Sequence, residues 1–198
     1  MHEPEEPDAQ QCRILCATVR TVTEAIALPD PYMKGHAGRV AEYCDAVAQA
    51  MGLSGHERFL LSLTARFHDI GMLSTPTYVL RKASTLAEDE MEEVRVHPIK
   101  GWEVFAGEPA LAEIARSIRH HHEHVDGSGY PDGVRGEAIP LFSRIILVAD
   151  AYEAMTHTRP YRRAVAHADA LRRLEEGAGT QFDAAVVTRF VTTITEGP

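Results

Sequence analysis

Eleven histidines in 198 residues exceed what packing alone calls for, and several sit where an unpaired imidazole would be costly. His68-Asp69 follows the apolar run LLSLTARF and so lies beside a core. His36, His97, His121, His122 and Asp150 likewise end or interrupt apolar helical faces. One such histidine is more often a hydrogen-bonded core residue than a ligand, but seven imidazoles and carboxylates placed alike favour a metal site. Apart from the adjacent pairs, successive members lie 24 to 32 residues apart, enough to run through a helix or two and return. They can therefore meet at one end of a helical bundle. Five imidazoles and two carboxylates without a thiolate suit iron, manganese or another divalent first-row transition metal ion better than a structural zinc. Seven ligands also exceed what one ion with an open substrate position needs, so a carboxylate shared between two ions fits the pair His68-Asp69.

The elements that must position these groups read as helices. Cys12, Leu15, Val19, Val22 and Ile26 recur at steps of three and four across Gln11 to Leu28, where prolines stop the pattern. A second helix spans Gly35 to Met51. Ser54 with Glu57 has capping-box spacing and opens a third, which carries His68-Asp69 near its end and closes at Gly71. Thr85 with Glu88 repeats that spacing and predicts a helix reaching His97, where Pro98 begins another. Pro109 starts a helix with Leu111, Ile114 and Ile118 on its apolar side, and the histidines 120 to 122 come at its C-terminal end. Residues 123 to 139 hold too many glycines and prolines for a regular element and form a shaped loop. Pro140 restarts a helix in which Asp150 is embedded in RIILVADAY, and two more follow near Ala166 to Glu176 and Asp183 to Thr193. No segment alternates over a strand length. The fold class is all-α, a single compact helical bundle.

Composition sets the outer bounds. The chain is long enough for one domain with a real core, assigned to residues 11–198, behind an acidic flexible tail at 1–10. Its net charge of −9 opposes binding to polymeric nucleic acid or an acidic membrane, so an anionic ligand requires local positive charge. No apolar run approaches the ~20 residues of a membrane span. Cys12, Cys16 and Cys44 make no CxxC pair, which fits a reducing cytoplasm and thiols that serve as small apolar side chains.

The ordered motifs identify a resemblance. His68-Asp69-Ile70-Gly71, His97-Pro98, HHE at His121 to Glu123, DGSGYP at Asp126 to Pro131, VAD ending at Asp150, RPYR at Arg159 to Arg162 and GAGTQFD at Gly177 to Asp183 together resemble the HD-GYP subgroup of the HD phosphohydrolase superfamily. The likeness covers about Asp30 to Ala184 and implies an HD-type bundle whose Gly/Pro-rich loop carries the GYP triplet. It also implies that His36, His68, Asp69 and Asp150 hold one ion while Asp69 bridges to a second held by His97, His121 and His122. The implied activity is hydrolysis of cyclic di-GMP to pGpG and/or GMP, by a hydroxide between the ions, with Asp69 and His68 catalytic. Arg159, Arg162, Tyr130 and Gly129 match positions close to the substrate, and a guanidinium fork suits its phosphates.

Two positions depart from the family pattern. Met72 replaces the lysine of HDIGK and offers no charge to a phosphate, which implies reduced turnover. Tyr32 stands where members with a third ion have a carboxylate, so two ions are expected. Two other functions fit the same residues: a catalytically weak domain that senses the nucleotide or docks to a signalling protein, and a diiron oxygenase of the superfamily. No oligomeric state is implied. His2, His56, His124, His157 and His167 read as exposed, His120 points away from His121, and Trp102 reads as helix packing.

Overall fold

The computed structural model describes residues 9–27, 33–82, 84–158 and 163–196. Ten α-helices occur among them and no strand; a single isolated bridge joins Ala178 and Phe182. The all-α expectation therefore holds. The acidic tail before Ala9, the prolines at 29 and 31, Tyr32, Arg159 and Arg162 lie outside the described residues, as do the side chains of Cys12 and Cys16.

Helix α1 covers Ala9–Ala27, α2 His36–Ala50 and α3 Gly55–Phe67. The capping box at α3 forms as the sequence predicts: Ser54 accepts from the Glu57 N–H, and Glu57 accepts from the Ser54 N–H at 2.8 Å. Gly71 does not close α3, which ends at Phe67; it lies instead in a 3-10 turn over Ile70–Ser74. A short α4, Thr77–Leu80, leads to α5, Glu88–Arg95. Thr85 does not cap α5. Glu90 accepts from the Ala87 N–H at 2.7 Å and sets the start two residues later than the spacing suggested.

Helix α6, His97–Phe105, follows after one residue, and α7 covers Ala112–Arg119. The loop then delivers the chain to α8, Leu141–Thr156, followed by α9, His167–Glu176, and α10, Ala184–Glu196. Ten residues of α8 are buried, which requires a helix apolar nearly all round. It packs on α2, α3, α7, α9 and α10. Val40, Cys44 and Val47 of α2 meet Ile145, Val148 and Tyr152 of α8, while Leu174, Phe182 and Phe190 close the far side. Each large apolar side chain fully buried there contributes about 1.5–3 kcal/mol.

A second contact sets the geometry near Asp69. A Cβ on Gly71 would lie 2.0 Å from the His97 carbonyl oxygen and 2.6 Å from the Gly101 nitrogen, so only glycine lets the turn seat against α6. That seat brings Asp69 beside His97. No helix among the described residues is long and apolar enough to cross a membrane.

Candidate metal centre

Three of the imidazoles are fixed by one device. His68 caps the end of α3, His97 follows the end of α5, and His121 follows the end of α7. Each ring bonds through Nδ1 to the carbonyl three residues earlier: His68 to Ala65 at 2.7 Å, His97 to Val94 at 2.7 Å, His121 to Ile118 at 2.6 Å. Carbonyls in a helix's last turn lack intrahelical partners, so the ring N–H satisfies an acceptor that needs one. With Nδ1–H given to the carbonyl, Nε2 is the atom aimed inward, and in the neutral ring it is a lone pair.

His36 reaches the centre from the first turn of α2, and its Nδ1 bonds Glu153 of α8 at 2.7 Å. Asp69 divides the imidazoles between its two oxygens. His68 Nε2 lies 3.2 Å and His36 Nε2 3.6 Å from Oδ2, whereas His97 Nε2 lies 3.4 Å and His121 Nε2 4.0 Å from Oδ1. Asp150 Oδ1 approaches His36 Nε2 at 3.3 Å. Two donor sets result, His36-His68-Asp69 and Asp69-His97-His121-His122, each with its ligand atoms within 4.8 Å of one another. The seven side chains singled out in the sequence thus converge.

Their electrostatics suit a metal. Burial lowers the pKa of His121, His122 and His97, and neighbouring imidazoles add to the effect, so these rings are neutral. Burial opposes the charged form of Asp69 too, but His68, His97 and His36 hold its carboxyl well below the usual range. At His68 burial also disfavours charge, yet Asp69 and Asp150 outweigh it and raise the imidazole to about 9. The buried Nε2 atoms of His36 and His68 have no hydrogen-bond partner among the described residues. Orphaned imidazole nitrogens facing carboxylates fit two divalent ions.

Sequence reasoning missed the support behind His36. Glu153 is 2% exposed, and its other oxygen accepts from Arg39 Nε at 2.9 Å and Nη2 at 2.6 Å. Burial opposes its charge, but His36 and Arg39 bring its pKa down to about 2. The available signal was its position three residues after Asp150, on the same side of α8. Glu123, also buried, accepts from the Asp132 and Gly133 N–H groups at 2.6 and 3.0 Å and so shapes the GYP loop. Arg119 holds Asp132 through two bonds while lying 5.2 Å over the Trp102 ring, so that half-exposed tryptophan meets a cation as well as its own helix.

Tyr130 stacks on His122, with centroids 4.9 Å apart and planes inclined by 25°. A Cβ on Gly129 would lie 2.3 Å from the His124 nitrogen and 2.5 Å from the His122 carbonyl oxygen, so this glycine presses the loop onto the ligand-bearing backbone. A cavity of about 480 Å³ opens onto His36, Asp69, His97, His122, Tyr130 and Asp150, and Met72 also lines it. Of the histidines assigned to solvent, His56 and His167 are exposed, the latter bonding the Tyr152 hydroxyl at 2.7 Å, whereas His157, 3.4 Å from Glu153, and His124, bonded to Ser128, are half-buried.

Comparison with known proteins follows the same lines. The family described as HD domain matches residues 20–186. The cyclic di-GMP phosphodiesterase response regulator RpfG of Xanthomonas campestris is 36% identical over 92% of this chain and 47% of its own length. The 3'3'-cGAMP-specific phosphodiesterase 3 of Vibrio cholerae is 38% identical over 77% of this chain and 33% of its own. A crystal structure of a cyclic GMP-AMP specific phosphodiesterase from V. cholerae superposes with a TM-score of 0.72 at 22% identity, covering 91% of this chain and 48% of that one. The chain therefore spans at most about half the length of these relatives.

Proposed function

Because this chain belongs to the HD-domain family and carries the HD-GYP motifs, we propose that it is a metal-dependent phosphodiesterase that hydrolyses cyclic di-GMP to pGpG and/or GMP. The observation that carries the reading is the division of four imidazoles, His36 and His68 against His97 and His121, between the two oxygens of Asp69. Two divalent first-row ions, iron or manganese by donor chemistry, supply an activated water and neutralise phosphoryl charge when bound.

The protein's own part is placement. His36, His68, Asp69 and Asp150 form one ligand set, and Asp69 with His97, His121 and His122 forms the other. The bonds from Nδ1 hold the rings of His36, His68, His97 and His121 in place, so little side-chain rotation would accompany loading. Tyr130, seated on His122 and open to the cavity, offers a ring face to a guanine, and Gly129 allows the loop that holds it. Arg159 and Arg162 would grip substrate phosphates as forked donors. Asp69 and His68 are the groups whose loss should matter most.

The test is purification without chelator, metal analysis, and incubation with cyclic di-GMP and with 3'3'-cGAMP, followed by chromatography of the products. Linear dinucleotide or mononucleotide is expected from the loaded protein, and the double variant His68→Ala, Asp69→Ala should hold no metal and form no product. Tight nucleotide binding without cleavage at full metal occupancy would overturn hydrolysis in favour of sensing.

A further inference from the structure

A cyclic dinucleotide carries two phosphates, so a centre that engages one leaves another anion in need of a partner. The cavity wall is poor in suitable groups. Asp69 and Asp150 are negative, and Met72 turns a thioether toward the Thr75 hydroxyl, 3.9 Å away, rather than a charge toward the ligand. Among the described residues that line the cavity, Lys82 alone bears a fixed positive charge.

Lys82 is held by Glu90, across the turn between α4 and α5, and its side chain remains 31% exposed. The same Glu90 oxygen accepts from the Ala87 N–H at 2.7 Å, in the first turn of α5 where a carboxylate is favoured. Glu90 therefore keeps a donor and a favourable field when the ammonium leaves. A partly exposed ion pair is weak, so exchanging one anion for another is cheap, and the four-carbon stem gives the ammonium reach.

We propose that Lys82 is a further phosphate-binding cation of this cavity, beside the Arg159 and Arg162 of the functional reading, resting on Glu90 until a substrate phosphate takes the carboxylate's place. The proposal rests on the cyclic-dinucleotide reading above and concerns binding of the ground state.

Its test is calorimetric binding of a phosphorothioate analogue of cyclic di-GMP to the metal-loaded protein at several salt concentrations, with kcat and KM for cyclic di-GMP alongside. Lys82→Ala should weaken binding about tenfold and flatten its salt dependence, raising KM while kcat, metal content and Tm stay near wild type. Lys82→Arg should retain most of the affinity. Glu90→Gln, which keeps an acceptor for Ala87 but releases the lysine, should tighten binding about threefold. Unchanged affinity in Lys82→Ala, or a loss in Glu90→Gln as large as that in Lys82→Ala, overturns the proposal. Wild-type protein that binds no cyclic dinucleotide overturns the functional reading and this proposal together, whereas failure in the variants alone leaves the functional reading standing.

Discussion

At the scale of single residues, His68 couples metal uptake to pH. Without metal its imidazole titrates at about 9, because Asp69 and Asp150 favour the proton over the penalty of burial. A group raised in this way stabilises the metal-free fold below its ordinary value, and that contribution is lost as pH rises through about 9. An ion must displace the same proton, so manganese affinity should rise about tenfold per unit between about pH 6.5 and 8.5, measured by equilibrium titration. A flat profile would show that His68 holds no proton for an ion to displace in that range. The seven converging side chains were legible because each ends or interrupts an apolar helical face, a signal local to the chain. Glu153 was not singled out, since its bond to His36 spans 117 positions and only its place three residues after Asp150 hints at it. Met72 was legible only as a departure; that Lys82 shares its cavity is a fact of tertiary structure.

At the scale of elements, the position of the 3-10 turn against α6 decides whether Asp69 faces His97. Gly71→Ala would drive a methyl group into the backbone of His97 and Gly101, at a cost of about 1–3 kcal/mol or more. Urea unfolding should show that loss, and metal analysis should show reduced occupancy as His97 is pushed from Asp69. Gly107→Ala, with nothing within 4 Å of the added atom, is the matched control and should leave metal content unchanged. Helix positions were readable from apolar periodicity, and the α3 cap from Ser54 and Glu57. The start of α5 was misplaced because Glu88 and Glu90 both suit a first turn, and only Glu90 bonds back, to Ala87. The 3-10 turn and the four-residue α4 are too short to carry a period.

At the scale of the molecule, bound ions would act as a brace across the bundle, since α2, the end of α3 and α8 would supply one ligand set and the ends of α5 and α7 most of the other. Ions at 100 times their dissociation constant stabilise by about 2.7 kcal/mol per site, which for a chain of this size raises Tm by roughly 5–10 °C. Calorimetry of manganese-loaded against chelator-treated protein checks this, and coincident melting curves would contradict a shared centre. The first ligand stands at position 36 and the last at position 150, within the most buried helix. A nascent chain would not complete the cage until α8 had emerged and docked, so full loading would report that the chain through Asp150 has folded.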